Sequence, residues 1–218
     1  MDEGGFQQRG YELLRGLIDP TSYYQHMQSL YEQGKGDVDR FVPGARVFHN
    51  DQMFQQLLTE LLPKIEQSAG CCLFQTYSYA REYGEGDVLK PHRDRPSCEI
   101  TVSICLGPNL PTPWPIWLID RHNHPQRIEL NPGDGVLYKG VEVVHWRQRN
   151  VHGPCSQLFL HYVDQNGQNA IYRNNAYKPW WFSVEIFGRT FSMGFMPAYT
   201  CECGLLTRKR RRGKTWAR

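Results

Sequence analysis

The hydrophobic positions of this chain follow two different periods, and the change comes near residue 70. Before that point they recur every three or four residues, a spacing that predicts amphipathic helices. One helix is expected within 19–34 and another within 50–70, because polar cap residues precede both segments and glycines follow them. Pro63 interrupts the second pattern, so we expect that helix to kink or divide there.

From residue 71 onward, short runs rich in β-branched and aromatic residues alternate with turns that contain glycine and proline. The runs predicted as strands are CLFQTYSYAREY, DVLKPHRD, CEITVSICL, PIWLID, QRIEL, GVLYKG, VEVVHWR and SQLFLHYVD. A helical region followed by many short strands predicts a mainly β (α+β) fold, a double-stranded β-helix (jelly roll) with N-terminal helices packed on one sheet. The chain then divides into a helical support region (1–70), the double-stranded β-helix core (71–165), an aromatic-rich extension (166–207) and a flexible basic tail (208–218).

The composition excludes several classes of protein. The 218 residues, 40% of them hydrophobic and 22% charged, suffice for one domain with a sizeable core. The net charge is only +3 and much of the excess lies in the terminal run RKRRRGKTWAR, so the body is not a basic nucleic-acid-binding surface. Without an apolar run of about 18 residues, no membrane span is expected. Seven cysteines without a framework spacing, and a polar N-terminus without a secretion signal, predict a reduced, cytoplasmic protein.

A candidate metal site follows from the stretch LKPHRDRPSCEIT. Side chains two residues apart on a strand point the same way, so His92 and Asp94 share a face. His145, which follows another strand-like run, is the best candidate for a third ligand. Two imidazoles and one carboxylate form the facial triad of non-haem Fe(II) oxygenases, whereas a structural zinc site would use more thiolates. Taken singly, an H-x-D pair is more typical of exposed polar residues, and a lone histidine of packing.

The surrounding residues add a family resemblance. The segments YGEGDVLKPHRD, NPGDGVLYKG, HW and LFLHYV are similar to those of the Fe(II)/2-oxoglutarate-dependent oxygenases, in particular the prolyl 4-hydroxylase-like branch. That branch has a Tyr, a Gly three residues later, an aromatic residue three further and the metal-binding His-x-Asp three further. Here these positions are Tyr83, Gly86, Leu89, His92 and Asp94, so the second aromatic residue is replaced. The resemblance covers roughly residues 70–165.

The resemblance implies a catalytic activity and its cofactors. His92, Asp94 and His145 would bind Fe(II), with 2-oxoglutarate and O2 as cosubstrates and ascorbate as a supporting reductant. Oxidative decarboxylation of 2-oxoglutarate to succinate and CO2 would be coupled to hydroxylation of an unactivated C–H bond. The substrate would be a free amino acid or other small molecule, or a peptidyl residue such as proline.

One departure from the family concerns the far carboxylate of 2-oxoglutarate. The family has an Arg or Lys about ten residues after the distal histidine, but here that neighbourhood, 154–157, reads PCSQ. A buried carboxylate needs a cation, and Arg147 is the first candidate because it shares a strand face with His145. The other candidates for this pocket are Arg149, then Lys90, with Tyr83 as a hydroxyl donor. His161 is expected to contact cosubstrate or substrate, or to pack in its strand.

Further residues are assigned with alternatives. The candidates for substrate contacts are Arg95, Trp114, Trp117 and Trp146, although core packing explains the tryptophans equally well. His122 and His124 are interpreted as solvated turn residues, and Cys201 and Cys203 as ordinary thiols. Two other functions stay open: a nucleic-acid oxidative demethylase that uses the basic tail for phosphate binding, and a non-catalytic cupin-like binding module.

Overall fold

The protein is described by a computed structural model that covers the backbone of residues 5–174, 181–186 and 189–194 and the side chains of residues 5–174. The helices are α1 (Phe6–Arg9), α2 (Thr21–Glu32), α3 (Gln52–Glu60) and α4 (Leu62–Ala69). The strands are β1 (Tyr11–Leu14), β2 (Asp37–Val38), β3 (Arg46–His49), β4 (Leu73–Tyr83), β5 (Leu89–His92), β6 (Ile100–Gly107), β7 (Ile116–Ile119), β8 (Pro125–Ile128), β9 (Gly135–Lys139), β10 (His145–Arg147), β11 (Cys155–Asp164), β12 (Trp181–Ile186) and β13 (Arg189–Gly194). Short 3-10 turns cover Pro96–Cys98 and Gln168–Tyr172.

Two antiparallel sheets form the jelly roll that the strand pattern predicts. The major sheet has the order β1-β9-β6-β11-β4-β3-β2, and the minor sheet has the order β5-β10-β7-β8. Each of the eight predicted strand runs overlaps an observed strand, from β4 to β11. The predicted double-stranded β-helix is therefore confirmed.

The long strand β11 separates two interiors. Leu158, Leu160 and Tyr162 are buried on the side of the major sheet that carries the helices. Residues at the alternate positions, among them Gln157 and His161, face the minor sheet, because strand side chains alternate between faces. The space between the two sheets therefore receives polar side chains as well as apolar ones.

Helices α2, α3 and α4 pack on the outer face of the major sheet, as expected. The Asp51 carboxylate accepts a hydrogen bond from the Met53 amide and caps α3. The helical pattern divides at Leu61, just before Pro63, and α4 ends at Gly70 in the left-handed conformation (φ 69°). The apolar stripe of these helices buries Phe54, Leu57, Leu58 and Ile65 against the sheet.

The first seventy residues are not helical throughout, which corrects the expectation of a purely helical support region. β1 pairs with β9, with Tyr11 opposite Tyr138, and β3 pairs with β4, with His49 opposite Tyr79. Both strands have only four residues, too few for a hydrophobic period to develop. The N-terminal region thus supplies both outer flanks of the major sheet as well as its helical cover.

The structure describes only part of the predicted C-terminal extension and none of the predicted basic tail. Within 166–207 the structure describes the Gln168–Tyr172 turn and an antiparallel hairpin of β12 and β13. Cys201, Cys203 and the basic tail lie outside the described residues. The five cysteines within 5–174 are all free thiols. None of the described helices has the length and apolar character that crossing a membrane requires.

Candidate active site

The three predicted metal ligands converge between the two sheets. His92 ends β5 and His145 begins β10, and the pairing of these strands sets the two histidines opposite each other. The Asp94 Oδ1 atom lies 3.8 Å from His92 Nε2 and 3.6 Å from His145 Nε2. One ligand atom from each residue falls within 4.8 Å of the others. Among the described residues, this is the single His/Cys/Asp/Glu group of that compactness.

Both histidines present the same nitrogen to the shared point. His92 Nδ1 lies 2.8 Å from the Lys90 carbonyl oxygen, and His145 Nδ1 lies 3.0 Å from that of Val143. A carbonyl oxygen can only accept, so each Nδ1 must carry the proton and each Nε2 keeps a free lone pair. Burial lowers the pKa of His92 to about 4, with His145 as the next cause, which favours the neutral imidazole that binds metals. This donor set fits a divalent first-row metal.

Asp94 is held from two sides. Its amide donates to the Gly140 carbonyl oxygen (2.8 Å), and its Oδ2 accepts from the Thr101 hydroxyl (3.0 Å). Burial raises the pKa of this carboxyl, but His145, His161 and His92 together outweigh that effect and keep the pKa well below its usual range. With Oδ2 occupied by Thr101, Oδ1 remains directed at the histidines.

The turn before β9 explains part of the motif NPGDGVLYKG. The Asp134 carboxylate accepts from the amides of Gly16 (2.9 Å) and Asn131 (3.0 Å), and forms an ion pair with Arg15. At the other end of β9, Gly140 approaches the metal ligands so closely that a Cβ there would lie 2.5 Å from Asp94 Oδ2 and would overlap the Cys98 carbonyl oxygen. Only glycine fits at that position without displacement of its neighbours.

Arg147 lies deep between the sheets, on the same face of β10 as His145. Its side chain is 1% exposed, and its guanidinium donates to the Trp114 carbonyl oxygen (2.6 Å) and to Gln157 Oε1 (2.9 Å). It also packs over the Trp114 ring, at 5.0 Å. Within residues 5–174, no carboxylate lies within ion-pair distance of Arg147, and the buried charge therefore calls for an anionic ligand.

Gln157 explains how this arrangement departs from the family pattern. It lies on β11, twelve residues after His145, where the resemblance places a cation. Its amide oxygen instead accepts from Arg147, which reaches across from the minor sheet. The positive charge thus comes from β10 and not from β11, but the guanidinium lies next to the same position of β11.

Sequence reasoning missed Arg81 and Asp39. Arg81 lies on β4, directly opposite Gln157 of the paired strand β11. Its Nε is 2.5 Å from Asp39 Oδ2, and the two side chains are 7% and 2% exposed. The alternation of Tyr77, Tyr79 and Tyr83 along β4 could have indicated that Arg81 faces inward. Asp39, in a loop, carries no such signal.

Solved structures with this architecture give an independent comparison, whereas no protein-family model and no curated protein sequence matches the chain. The epimerase SnoN from nogalamycin biosynthesis, in complex with Fe3+, alpha ketoglutarate and nogalamycin RO, has a TM-score of 0.63 at 13% identity, covering 73% of this chain and 80% of SnoN. A Pseudomonas putida prolyl-4-hydroxylase has a TM-score of 0.61 at 13% identity, covering 72% of this chain and 94% of its own. A Trichoplax adhaerens prolyl hydroxylase in complex with a hypoxia inducible factor peptide fragment has a TM-score of 0.63 at 15% identity, covering 76% and 88%. The chain has the fold of the Fe(II)/2-oxoglutarate-dependent oxygenases.

Two other predicted residues lie close to the metal ligands in this oxygenase fold. His161 is buried, with Nδ1 3.0 Å from the Thr101 hydroxyl that also bonds Asp94, and burial lowers its pKa to about 3. Arg95 directly follows Asp94 and lies over the Tyr77 ring at 4.7 Å. Tyr77 in turn stacks on His161, with ring centroids 4.4 Å apart.

The remaining predicted site residues are divided between the interior and the surface of the oxygenase fold. Trp114 is buried against Tyr83 and Arg147. Trp117 and Trp146 stack on each other, 6.0 Å apart, on the opposite face of the minor sheet from His145, so they do not line the interior. Arg149, Lys90, His122 and His124 are exposed. The amides of both turn histidines donate to Asp120 Oδ1, as suits turn residues.

Proposed function

We propose that this protein is an Fe(II)/2-oxoglutarate-dependent oxygenase that hydroxylates an unactivated C–H bond. One observation carries the proposal: two histidine Nε2 atoms and one carboxylate oxygen share a point, in the same interior as a buried arginine that has no acidic partner among the described side chains. A metal site alone would fit many proteins. A metal site beside an unpaired guanidinium fits a cosubstrate that binds a metal at one end and carries a carboxylate at the other.

The proposed roles follow the geometry. His92, Asp94 and His145 would hold Fe(II), and the bound iron, with 2-oxoglutarate and O2, would supply the oxidising chemistry that releases succinate and CO2. The Lys90 and Val143 carbonyl oxygens keep both imidazoles in the metal-binding tautomer. Thr101 holds Asp94 in the orientation that faces them. Ascorbate would keep the iron reduced.

Arg147 would bind the far carboxylate of 2-oxoglutarate. A guanidinium recognises a carboxylate through paired hydrogen bonds, which gives geometric specificity as well as charge compensation. Gln157 and the Trp114 carbonyl oxygen orient the guanidinium, and the buried Tyr83 hydroxyl would add a donor. This assignment accounts for the cation that the sequence lacks after residue 154.

The substrate proposed is a free amino acid or other small molecule, or a peptidyl residue such as proline. The similar structures support both classes, because one was solved with nogalamycin RO and another with a peptide fragment. SnoN is an epimerase, so the reaction outcome must be read from the product. No interior feature of the described residues favours nucleic acid, and the basic tail proposed for that alternative lies outside them.

The decisive experiment measures succinate formation from 2-oxoglutarate by the Fe(II)-loaded protein under air. The substrate panel includes free amino acids, proline-containing peptides and methylated oligonucleotides, and each product is identified by mass. His92→Ala should reduce turnover to background. His122→Ala, which removes an exposed turn histidine, is the matched control and should keep wild-type turnover. Equal succinate formation by wild type and His92→Ala would refute the enzyme assignment, and ligand binding without any turnover would favour the cupin-like module.

The cosubstrate assignment has its own test. Arg147→Met should weaken 2-oxoglutarate binding to the Mn2+-loaded protein by about 30-fold or more, since breaking a buried charge pair costs roughly 2–5 kcal/mol. Arg149→Met removes an exposed arginine two residues away and should bind as wild type. Equal affinities in the two variants would exclude Arg147 as the anchor.

A further inference from the structure

A hydrogen-bonded cluster of three buried side chains and one partly buried side chain lies beside the proposed cosubstrate pocket. The Arg81 guanidinium donates from Nη1 to the Tyr83 hydroxyl (2.6 Å) and from Nη2 to the Tyr79 hydroxyl (2.8 Å). Its Nε faces Asp39 Oδ2 at 2.5 Å. Tyr79 also donates to Asp39 Oδ2 (2.8 Å). We call these four residues the Arg81 cluster.

One proton of the Arg81 cluster has no acceptor. The Tyr79 hydroxyl accepts from Arg81 and donates to Asp39, so both of its roles are filled. The Tyr83 hydroxyl accepts from Arg81, which can only donate, and therefore keeps its own proton for another group. Tyr83 is 0% exposed, and no residue in 5–174 accepts that proton. A buried donor without a partner is costly, so an acceptor ligand would be bound favourably there.

The Arg81 cluster adjoins the residues around Arg147. Gln157, which accepts from Arg147, is the cross-strand partner of Arg81. The Trp114 ring contacts Tyr83 edge-on, at 4.9 Å, and Arg147 through its face, at 5.0 Å. Tyr83 and Arg147 thus approach the interior from different sheets and share one aromatic neighbour.

The charge of Arg81 is already balanced, unlike that of Arg147. Asp39 supplies the opposite charge, and its other oxygen is fixed by the Phe41 amide (2.6 Å) and the Val42 amide (3.2 Å). Arg81 therefore has no need of an anionic ligand of its own. What it does impose is the direction of the two tyrosine hydroxyls.

We propose that Arg81 is a positioning residue: by filling the acceptor side of the Tyr83 hydroxyl, it directs the Tyr83 proton to the carboxylate that Arg147 binds. The inference rests on the proposed function, because that carboxylate belongs to 2-oxoglutarate. Tyr83 touches the ligand, and Arg81 acts through Tyr83.

The test compares two ligands on the Mn2+-loaded protein by calorimetric titration. 2-Oxoglutarate carries the far carboxylate, whereas pyruvate has the same keto acid end without it. Tyr83→Phe and Arg81→Lys should each weaken 2-oxoglutarate binding about tenfold, the effect of one hydrogen bond to a charged group. The double variant should lose no more than about tenfold, because both changes remove the same interaction. All variants should bind pyruvate as wild type does.

Tyr79→Phe is the matched control, since Tyr79 also accepts from Arg81 but has no free proton. It should bind 2-oxoglutarate within about twofold of wild type, in contrast to the tenfold loss expected for one hydrogen bond. Should Arg81→Lys fail to fold, equal losses in Tyr79→Phe and Tyr83→Phe would overturn the inference, and a loss confined to Tyr83→Phe would support it.

The possible outcomes distinguish a failure of the positioning role of Arg81 from a failure of the proposed 2-oxoglutarate binding. A wild-type protein that binds pyruvate but not 2-oxoglutarate would remove the cosubstrate assignment, and the inference with it. If wild type binds 2-oxoglutarate, then additive losses in the double variant, wild-type affinity in Arg81→Lys, or an equal loss of pyruvate binding would each overturn the positioning role alone.

Discussion

Gly140 lies tightly against the metal ligand Asp94, and its replacement by alanine should disable the site without changing a ligand. The added Cβ would lie 2.5 Å from Asp94 Oδ2 and 2.9 Å from Asp94 Cβ, and would overlap the Cys98 carbonyl oxygen. Ordinary contacts between such atoms are near 3.5 Å, so something must move by roughly 1 Å.

The backbone at Gly140 has little freedom to retreat. Its amide donates to the Glu99 carbonyl oxygen (2.8 Å), and its own carbonyl oxygen accepts from the Asp94 amide (2.8 Å). The displacement therefore falls on the Cys98 carbonyl and on Asp94, and through both of them on Thr101, whose hydroxyl bonds to each. Overpacking of this kind costs about 1–3 kcal/mol of stability. Loss of a hydrogen bond that orients a metal ligand weakens metal binding by about 10- to 100-fold.

Calorimetric titration of wild type and Gly140→Ala with Mn2+, together with thermal unfolding of both, measures these effects. Gly84→Ala is the matched control, because the nearest atom to its added Cβ is Asp87 Oδ2, at an ordinary 3.8 Å. The reasoning is refuted if Gly140→Ala binds Mn2+ as tightly as Gly84→Ala does. A loss of thermal stability with unchanged metal affinity would show that the turn, and not Asp94, absorbs the strain.

Two further predictions concern stability. Asp51→Ala should lower the free energy of unfolding by about 1 kcal/mol in urea denaturation, because it removes the cap of α3; an unchanged midpoint would argue against capping. Burial raises the pKa of Glu82, although hydrogen bonds from Ser156 and Gln28 oppose the shift. The folded state then binds this proton more tightly than the unfolded state, and the cost of ionising Glu82 grows as the pH rises above its usual pKa of 4.5. Glu82→Gln should therefore unfold at a higher temperature than wild type at pH 7, with the difference vanishing towards pH 4; a constant difference across that range would contradict this reasoning.

The metal centre could be predicted because its parts obey local rules. The period of two along a strand predicted a common face for His92 and Asp94, although β5 ends at His92 and Asp94 lies two residues beyond it. The same period groups Arg147 with His145 on β10. The same rule, applied to Trp146, would have placed its ring on the outer face of the minor sheet. The face on which a residue lies can thus be predicted from the sequence when it depends only on the alternation within one strand.

The parts that were missed depend on contacts between distant segments. Arg81 gains its surroundings from Asp39, forty-two residues earlier, and from the pairing of β4 with β11. The four-residue segments β1 and β3 adopt the strand conformation because their backbones pair with β9 and β4, respectively. A sequence window of that length carries too little periodicity to separate a strand from a loop.

The position of β1 and β3 bears on how the protein unfolds. If residues 1–70 were cut away, β9 and β4 would each be left with a row of unsatisfied amides and carbonyls, and the helix-covered face would be bare. Exposed edges of that kind recruit strands from other molecules. A protein that starts at residue 71 should therefore aggregate, and the whole of the described jelly roll should melt in one cooperative transition with its N-terminal segment.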